Sequence, residues 1–559
     1  MAWSWRVVVA VVAALAPGYV HPDEHFQSPE VAAGDVFGFS GLHRAWEFQA
    51  GPGGHPYAPA RSAASHFASS GLPFVGLRVL VGPRPPAWAL LVAPRLWMAL
   101  LWALTVPPAA SRLVARLGGA RDVADRVAFL LATSWTALLH ARPLSNGLEA
   151  VAVAALISLA LRAEPGGARR DPRPAAMFAF GAVAAVAAFV RFTAIFYAAP
   201  LAGLVLYGTW QRRAEAGARG ALRALHVVAS TAVAPAAAGF AAASLACMAL
   251  DSAYFGTPFP TVAPWNALQY NARPENLADH GIHPRATHVL VNSAVLLGPL
   301  GVLAVCAAAK VLLRRTDGTQ KKGRFAPTAQ PPEPAVRSRQ RRGDSVAGAS
   351  AANMAVTGCV LLPLAALSAA PHQEPRFLLP MVMPVVVLLT VHADALWADA
   401  SGAERTLYRL LRSRALWLAF NTGCAVFWGG MHQAGVVRAL LHVEAHELAA
   451  APSTSLLFYR TYMPPRFLLA LPGGQEAVSV TDLAGAGGAP LSVEVLRREA
   501  AVAPGTQVLV AAPSSVPRSR LPCELREVAR FWPHFSGEDP PASLGDLALV
   551  LYRLHGACA

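Results

Sequence analysis

The sequence predicts an all-α polytopic membrane protein. Of its 559 residues 55% are hydrophobic and only 14% are charged, whereas soluble domains carry roughly 25% charged residues. Apolar segments long enough to cross a bilayer recur along the chain. The connections between them alternate between basic and chemically unusual ones, as expected when cytoplasmic loops collect Lys and Arg.

About eleven segments have the length and apolarity of membrane spans. They cover residues 3–19, 87–107, 124–141, 146–162, 175–190, 193–209, 224–250, 288–312, 351–369, 377–396 and 415–432. The first resembles a signal peptide, but Pro17-Gly18-Tyr19-Val20 is a poor small-residue cleavage site. We therefore interpret it as a retained first span.

Every second connection is basic, which accounts for the net charge of +15 without any nucleic-acid motif. One of them, the linker 313–350, is rich in Lys, Arg, Pro, Gly and Ser and is predicted to be cytoplasmic and disordered. The remaining connections include a long first loop, 20–86, and the loop 251–287. These connections are predicted to lie together on the opposite face.

The division that follows is a transmembrane domain over 1–434 and an outer-face C-terminal region over 435–559. The C-terminal region contains strand-like runs at 508–510 and 547–551. Four of the six cysteines lie in apolar runs, which leaves Cys523 and Cys558 as a possible disulfide pair.

The first polar cluster, His21 to Glu30, interrupts the apolar start of the chain with three carboxylates and two imidazoles. Asp23 and Glu24 follow Pro22, which favours an extended or turn conformation before it. At a membrane boundary this pair suits a general base acting on a membrane-bound substrate. The alternative is that the two carboxylates cap a helix beginning near Phe26.

A second cluster, Pro371 to Phe377, lies between two apolar runs. Arg376 and His372 suit anion binding, because guanidinium binds phosphate with two N–H groups and imidazole can donate to it. The alternative for Arg376 is an interfacial anchor. The density of ionisable and amide groups, with Gln373 and Glu374 between them, favours the anion site.

The segment Arg142 to Glu149 places Asn146 and Glu149 on one helix face. Glu149 needs a cationic partner near the membrane, and Arg142 or Arg191 could supply it. Ser145 is predicted to cap the helix.

The outer loop that follows Asp251 interleaves aromatic and amide side chains, which suits stacking on sugar faces; among them are Tyr254, Asn266 and Asn271. Its three histidines lack the spacing of a metal site, so no metal is predicted.

These motifs resemble glycosyltransferase family 22, the polytopic mannosyltransferases of the endoplasmic reticulum that use dolichyl phosphate mannose. The matching segments are His21–Gln27 with Glu30, Arg142–Glu149, Arg191–Thr193, Asp251–Asn271, Pro371–Leu379 and His432–Gly435. The family usually carries Lys where this chain has Gln373. That Gln and the segment Phe458–Arg466 are similar to the branch that adds a fourth mannose to the glycosylphosphatidylinositol (GPI) precursor.

The resemblance implies a GT-C type fold with the active site in the first lumenal loop and a lumenal C-terminal region. It implies α1,2 transfer onto the third mannose of the GPI precursor, in the endoplasmic reticulum membrane. The partners would be a lipid-linked donor and a GPI glycolipid acceptor, with no nucleic acid and no cofactor besides the donor substrate. Two alternatives stay open: a sister mannosyltransferase acting on the lipid-linked N-glycan or on an earlier GPI mannose, and a transporter of lipid-linked sugars.

Forming an α-linked product from a β-linked mannosyl phosphate requires inversion, hence one displacement with a base on the acceptor hydroxyl. We expect Asp23 as this base, with Glu24 as its orienting partner or substitute. Arg376, His372 and Arg191 would hold the donor phosphate. The supporting or substrate-binding residues would be His21, Gln27, Glu30, Arg142, Asn146, Glu149, Tyr254, Asn266, Asn271, Gln373, Glu374, His432 and Gln433.

Overall fold

The computed structural model describes residues 4–51, 53–163, 173–214, 225–278, 281–316, 336–473, 477–483, 491–517 and 521–555. Much of the linker 313–350, together with Cys558, lies outside these ranges. Helices dominate the described residues up to 447, as predicted. The all-α class is wrong for the C-terminal region, where residues 453–554 contain a five-stranded sheet.

Eleven α-helices lie within the described residues between 4 and 214. They are α1 Ser4–Leu15, α2 Asp23–Phe26, α3 Pro29–Phe37, α4 Ala63–His66, α5 Leu72–Leu80, α6 Ala87–Arg116, α7 Arg121–Thr133, α8 Thr136–Ala141, α9 Ser145–Ala163, α10 Pro174–Val190 and α11 Ile195–Ala214. A π-helical turn, Phe67–Gly71, joins α4 to α5, and 3-10 turns lie at Trp46–Phe48 and Phe192–Ala194.

The helices of the second half are more often interrupted by π or 3-10 turns. They span Ala234–Phe255, Ala263–Asn271, Pro274–Ala278, Ser293–Leu297, Pro299–Thr316, Val336–Ala369, Val382–Leu396, Gly402–Leu411, Arg414–Val426, Ala434–His442 and Val493–Ala500. The π turns lie at Val228–Val233, His288–Asn292, Phe427–Met431 and Val443–Glu447, and 3-10 turns at Pro375–Met381, Arg466–Leu469 and Leu544–Asp546.

Every predicted span overlaps helical residues in the described part of the chain. Within the described ranges, six helices are long and apolar enough to cross a membrane: Ala87–Arg116, Ser145–Ala163, Phe192–Trp210, Leu225–Phe255, Ala351–Ala369 and Pro375–His392. The others are shorter or broken; the predicted span 124–141, for example, is divided between α7 and α8. The count of eleven therefore stays a prediction.

Small residues let α10 and the helix Ala234–Phe255 approach each other closely. A Cβ on Gly181 would lie 1.9 Å from the carbonyl oxygen of Ala236, and a Cβ on Gly239 would lie 2.0 Å from that of Phe178. Only glycine fits at either position. This contact fixes the second helix, whose C-terminal end carries Asp251 and Tyr254 to the first loop.

The C-terminal sheet has the strand order β2-β1-β3-β5-β4. Its strands are β1 Ser453–Tyr459, β2 Val478–Leu483, β3 Thr506–Pro513, β4 Leu525–Phe531 and β5 Leu549–Leu554. The predicted strand-like runs lie in or overlap β3 and β5. β1 pairs in parallel with β2 and β3, whereas β5 pairs antiparallel with β3 and β4.

Alternate residues of this sheet pack on opposite sides, as the two-residue period of a strand requires. Leu456 and Phe458 pack with Leu440 of the helix Ala434–His442. Leu457 and Tyr459 lie in the cluster that contains Leu496 of the other flanking helix. Because both faces of the sheet are covered, the sequences of β3 and β5 are mostly apolar. Cys523 is disulfide-bonded.

Candidate active site

The polar clusters of the sequence meet around Asp23, the first residue of α2. Its carboxylate accepts a hydrogen bond from Nη1 of Arg376, which is 353 residues away in the chain. Nδ1 of His21 lies 3.6 Å from the same carboxylate. The Asp23 side chain is 20% exposed, so a substrate hydroxyl can reach it.

Arg376 bridges two carboxylates, because its Nε donates to Glu374 while Nη1 donates to Asp23. Nε2 of His372 lies 2.7 Å from the other oxygen of Glu374. Burial raises the pKa of Asp23, but the charges of Arg376, His21 and Arg61 together with the Arg376 hydrogen bond outweigh it and hold that pKa below its usual range. Asp23 is therefore ionised at neutral pH, the state in which a base accepts a proton.

Glu24 has the opposite environment, since its side chain is fully buried. Its carboxylate lies 2.9 Å from Nε2 of His25, 3.2 Å from Nη2 of Arg95 and 3.4 Å from Nε of Arg142. Burial disfavours the charge, yet Arg142, His25 and Arg95 lower the pKa of Glu24 to about 2. No substrate reaches this carboxylate, so its position favours the predicted orienting role over that of a substitute base.

Arg142 and Arg95 also fix the end of the first helix. Nη1 of Arg95 and Nη2 of Arg142 each donate to the carbonyl oxygen of Ala16 at 2.9 Å, and Arg142 donates to that of Gly18 at 3.0 Å. Of the two predicted partners for Glu149, Arg191 lies beside it at 3.1 Å, whereas Arg142 contacts Glu24 instead.

Ser145 is the first residue of α9 rather than the cap that precedes it, and its hydroxyl accepts from two guanidinium groups. Nη1 of Arg61 lies 3.0 Å and Nη1 of Arg191 3.3 Å from Ser145 Oγ. Both arginines act electrostatically on the Asp23 cluster. Two guanidinium groups directed at the same oxygen are suited to binding an anion such as phosphate.

Three charged residues of this site were missed by the sequence reasoning: Glu47, Arg61 and Arg95. Oε1 of Glu47 accepts from Gln27 at 3.2 Å and lies 3.7 Å from Nε of Arg61. Arg95 did carry a signal, since an arginine inside an apolar span normally has a dedicated partner. Glu47 and Arg61 looked like ordinary loop charges.

Several predicted residues lie outside the Asp23 cluster. The Tyr254 hydroxyl donates to Asp35 at 2.6 Å, and Asn266 donates to the carbonyl of Pro59 at 3.0 Å. Asn271 donates to the carbonyl of Ala267 in its own helix.

Three more support the chain around the site. Gln373 accepts from the backbone N–H of His288 at 2.8 Å. His432 Nδ1 lies 2.7 Å from the carbonyl of Tyr19, and Gln433 donates to Ser536 at 3.1 Å.

Asn146 is buried, and its side chain has no hydrogen-bond partner among the described residues. The same residues contain no group of three or more His, Cys, Asp or Glu placed to hold a metal ion. A reaction without metal stays a prediction.

The profile of the Alg9-like mannosyltransferase family matches residues 1–467. The chain belongs to this family. The resemblance drawn from the motifs is thereby confirmed, and the protein is a glycosyltransferase that crosses the membrane several times.

Two relatives show where this mannosyltransferase lies within the family. It is 31% identical to GPI alpha-1,2-mannosyltransferase 4 of Homo sapiens, over 99% of this chain and 92% of the relative. It is also 31% identical to GPI mannosyltransferase 4 of Eremothecium gossypii, over 83% of this chain and 76% of the relative.

The fold is similar to that of ArnT from Cupriavidus metallidurans, solved with bound undecaprenyl phosphate. The TM-score is 0.53 at 14% sequence identity, and the match covers 100% of this chain and 98% of ArnT. At this identity the likeness concerns the fold alone. It confirms that the mannosyltransferase has the predicted GT-C architecture.

Glu30 joins the first loop of this mannosyltransferase to the C-terminal segment. Its carboxylate accepts backbone N–H bonds from His43 at 3.0 Å and from Phe467 at 3.1 Å. Burial raises the pKa of Glu30 to about 7 from 4.5, although these two bonds oppose the shift. The folded protein thus holds the proton more tightly than the unfolded chain does.

This shift predicts that the stability of the protein depends on pH. Glu30→Gln should reduce that dependence. Stability from a raised pKa is fully present below about pH 4.5 and is lost as the pH rises through about 7. The loss is on the order of 3 kcal/mol. The melting temperature of the purified wild type in detergent should fall between pH 5 and pH 8, and the always-neutral Gln variant should fall less. An equal fall in both proteins would contradict the assignment to Glu30.

Proposed function

We propose that this protein is a dolichyl-phosphate-mannose-dependent α1,2-mannosyltransferase that adds a fourth mannose to the third mannose of the GPI precursor. The main support for this proposal is the environment of Asp23. Its carboxylate is partly exposed, is paired with Arg376 and lies near Arg61 and Arg191. The names of the relatives support the GPI acceptor and the α1,2 linkage.

In the proposed reaction, Asp23 removes the proton from the acceptor hydroxyl as its oxygen attacks C1 of the donor mannose. The acceptor oxygen approaches the face of C1 opposite the phosphate. The bond between C1 and the phosphate oxygen breaks as the new bond forms, so the anomeric configuration inverts. The proton ends on Asp23 and the electron pair on dolichyl phosphate. A positioned base of this kind contributes typically 10²- to 10⁴-fold to a rate.

The departing phosphate gains negative charge, so cationic donors aimed at it stabilise the transition state. Arg376, His372 and Arg191 were expected in this role, and Arg61 with the Ser145 hydroxyl joins them here. Arg376 and His372 already contact Glu374. Arg61 and Arg191 have their own carboxylate partners, Glu47 at 3.7 Å and Glu149 at 3.1 Å, but both also donate to the uncharged hydroxyl of Ser145. The phosphate therefore fits best between these two arginines, with Arg376 linking it to the base.

The test is to identify the glycolipid that accumulates in cells lacking the protein. The proposal expects a GPI precursor with three mannoses and the return of a four-mannose form when the gene is restored. Accumulation of a truncated dolichol-linked N-glycan, with normal GPI precursors, would assign the enzyme to a sister reaction. Unchanged pools with altered transbilayer distribution of lipid-linked sugars would favour the transporter.

We further propose that the site faces the lumen of the endoplasmic reticulum. The sequence contains no N-x-S/T acceptor, which makes it a clean background for mapping sidedness. An acceptor inserted between residues 50 and 55 should be glycosylated, and one inserted into the linker 316–350 should not. Gel mobility with and without endoglycosidase measures both. The reverse pattern would place the site in the cytosol.

A further inference from the structure

Four aromatic side chains form a cluster beside the charged site. Trp46, His55 and Tyr57 come from the first loop, and Tyr270 comes from the helix Ala263–Asn271. The ring centroids of Trp46 lie 4.2 Å from those of His55 and 4.5 Å from those of Tyr270. The rings of His55 and Tyr57 are 5.7 Å apart. Two loops that are distant in the sequence thus build one aromatic surface.

The turn Trp46–Phe48 connects this surface to the reaction centre. Phe48 is 2% exposed and packs in the interior. Glu47 turns toward the charged site, where it accepts from Gln27 and faces Arg61. Trp46 enters the aromatic cluster. Trp46 in the aromatic surface is therefore the sequence neighbour of Glu47, which contacts Gln27 and Arg61 near Asp23.

The cluster is more than a packing contact between two loops. Tyr270 is buried, but Trp46, His55 and Tyr57 remain partly exposed. Among the residues that the structure describes, the indole N–H of Trp46 and the hydroxyl of Tyr57 have no hydrogen-bond partner. Because both residues are partly exposed, these polar groups are available to a ligand. Here aromatic faces and unused polar edges are presented together.

This combination matches the chemistry of a sugar. A pyranose packs its C–H face against an aromatic ring while its hydroxyls exchange hydrogen bonds with groups at the ring's edge. A cationic ligand is disfavoured, because the guanidinium of Arg273 already lies 5.2 Å from the Tyr57 ring centroid.

We propose that Trp46, His55, Tyr57 and Tyr270 form an acceptor subsite for a neutral α-linked mannose chain. The subsite holds the sugars that precede the reacting mannose, while the reacting mannose lies at Asp23. This inference rests on the proposed function. It assigns acceptor recognition to the first loop and the loop 251–287, and donor recognition to the arginines.

The test compares wild type with Trp46→Ala, Trp46→Phe and Tyr57→Ala, and uses Trp532→Ala as the matched control. Trp532 is 65% exposed and lies in the C-terminal region. The first measurement is binding of a lipid-free α-linked trimannoside to the purified protein without donor, by saturation-transfer NMR. The second is steady-state kinetics with a trimannosyl and a monomannosyl glycolipid acceptor.

We expect Trp46→Ala to weaken trimannoside binding and raise the KM for the trimannosyl acceptor on the order of tenfold, about 1.4 kcal/mol. The KM for dolichyl phosphate mannose and the kinetics with the monomannosyl acceptor should stay within a fewfold. Trp46→Phe keeps an aromatic face and should retain part of the binding. Trp532→Ala should resemble wild type.

Equal trimannoside binding by wild type and Trp46→Ala would overturn the subsite, and so would an equal loss for both acceptors and for the donor. The proposed function fails differently. Wild type that binds trimannoside through Trp46 but transfers no fourth mannose would leave the subsite standing and reject the assigned reaction.

Discussion

Asp23→Asn should reduce mannose transfer per folded molecule by about 10²- to 10⁴-fold. Asparagine keeps the size of the side chain and one oxygen that can accept from Arg376, so the surrounding loop should remain in place. It cannot take a proton from the acceptor hydroxyl. The measurement is the initial rate of transfer by purified enzyme at saturating donor, normalised to the folded fraction.

Asp35→Asn is the matched control for this variant. Asp35 lies in the same loop, and its side chain has the same 20% exposure as Asp23. It contacts His66, Tyr254 and Arg44 rather than the Asp23 cluster. Its variant should lower stability more than specific activity. Near-normal turnover by Asp23→Asn would remove Asp23 from the mechanism.

The choice between Asp23 and Glu24 shows what the sequence could not decide. Adjacent carboxylates have the same local pattern, and both suit a base or a helix start. The structure separates them because Asp23 remains 20% exposed while Glu24 is buried against Arg95 and Arg142. Arg95 is 71 residues from Glu24 in the chain, a separation that no motif spacing reveals.

Ser145 and Glu149 illustrate the same limit from the other direction. A serine at the start of a helix is locally a good cap, so the sequence favoured that role. Its hydroxyl instead meets Arg61 and Arg191, which arrive from other segments. The convergence of the polar loops was predictable because the alternation of basic connections orders them by side. Which charged side chains pair with each other once these loops meet depends on their positions in the folded chain.

The helical class was predictable for the transmembrane part and failed for the C-terminal region. Apolar runs of span length specify helices in a bilayer, since every backbone group must be satisfied within the segment. Residues 453–554 carry shorter apolar runs such as those in β3 and β5. The runs in β3 and β5 were predicted to be strand-like, but because a short buried strand and a short buried helix share that pattern, the other three strands and the sheet were not predicted. Pairing between distant strands decided the outcome.

Arg376→Ala should abolish most transfer, and Arg376→Lys should retain part of it. The guanidinium donates through Nη1 to Asp23 and through Nε to Glu374, and an ammonium group keeps the charge but loses this fixed planar geometry. Each charge-assisted hydrogen bond lost is worth roughly 1.5 to 3 kcal/mol. Because Arg376 also faces the leaving phosphate in the proposed reaction, the Lys variant should bind the product dolichyl phosphate more weakly.

The measurements are transfer per molecule of purified variant over a range of dolichyl phosphate mannose concentrations, and inhibition by dolichyl phosphate. Arg44→Ala is the control, since Arg44 lies in the first loop with a 42% exposed side chain and pairs with Asp35. A membrane anchor at position 376 predicts a fully active Lys variant and an Ala variant that is scarce but active. If Arg376 instead contacts the phosphate and the base, the Arg376→Ala variant should be present at normal abundance but turn over little substrate. The interaction that it loses is one used in the reaction. Full specific activity of Arg376→Ala would exclude Arg376 from the reaction.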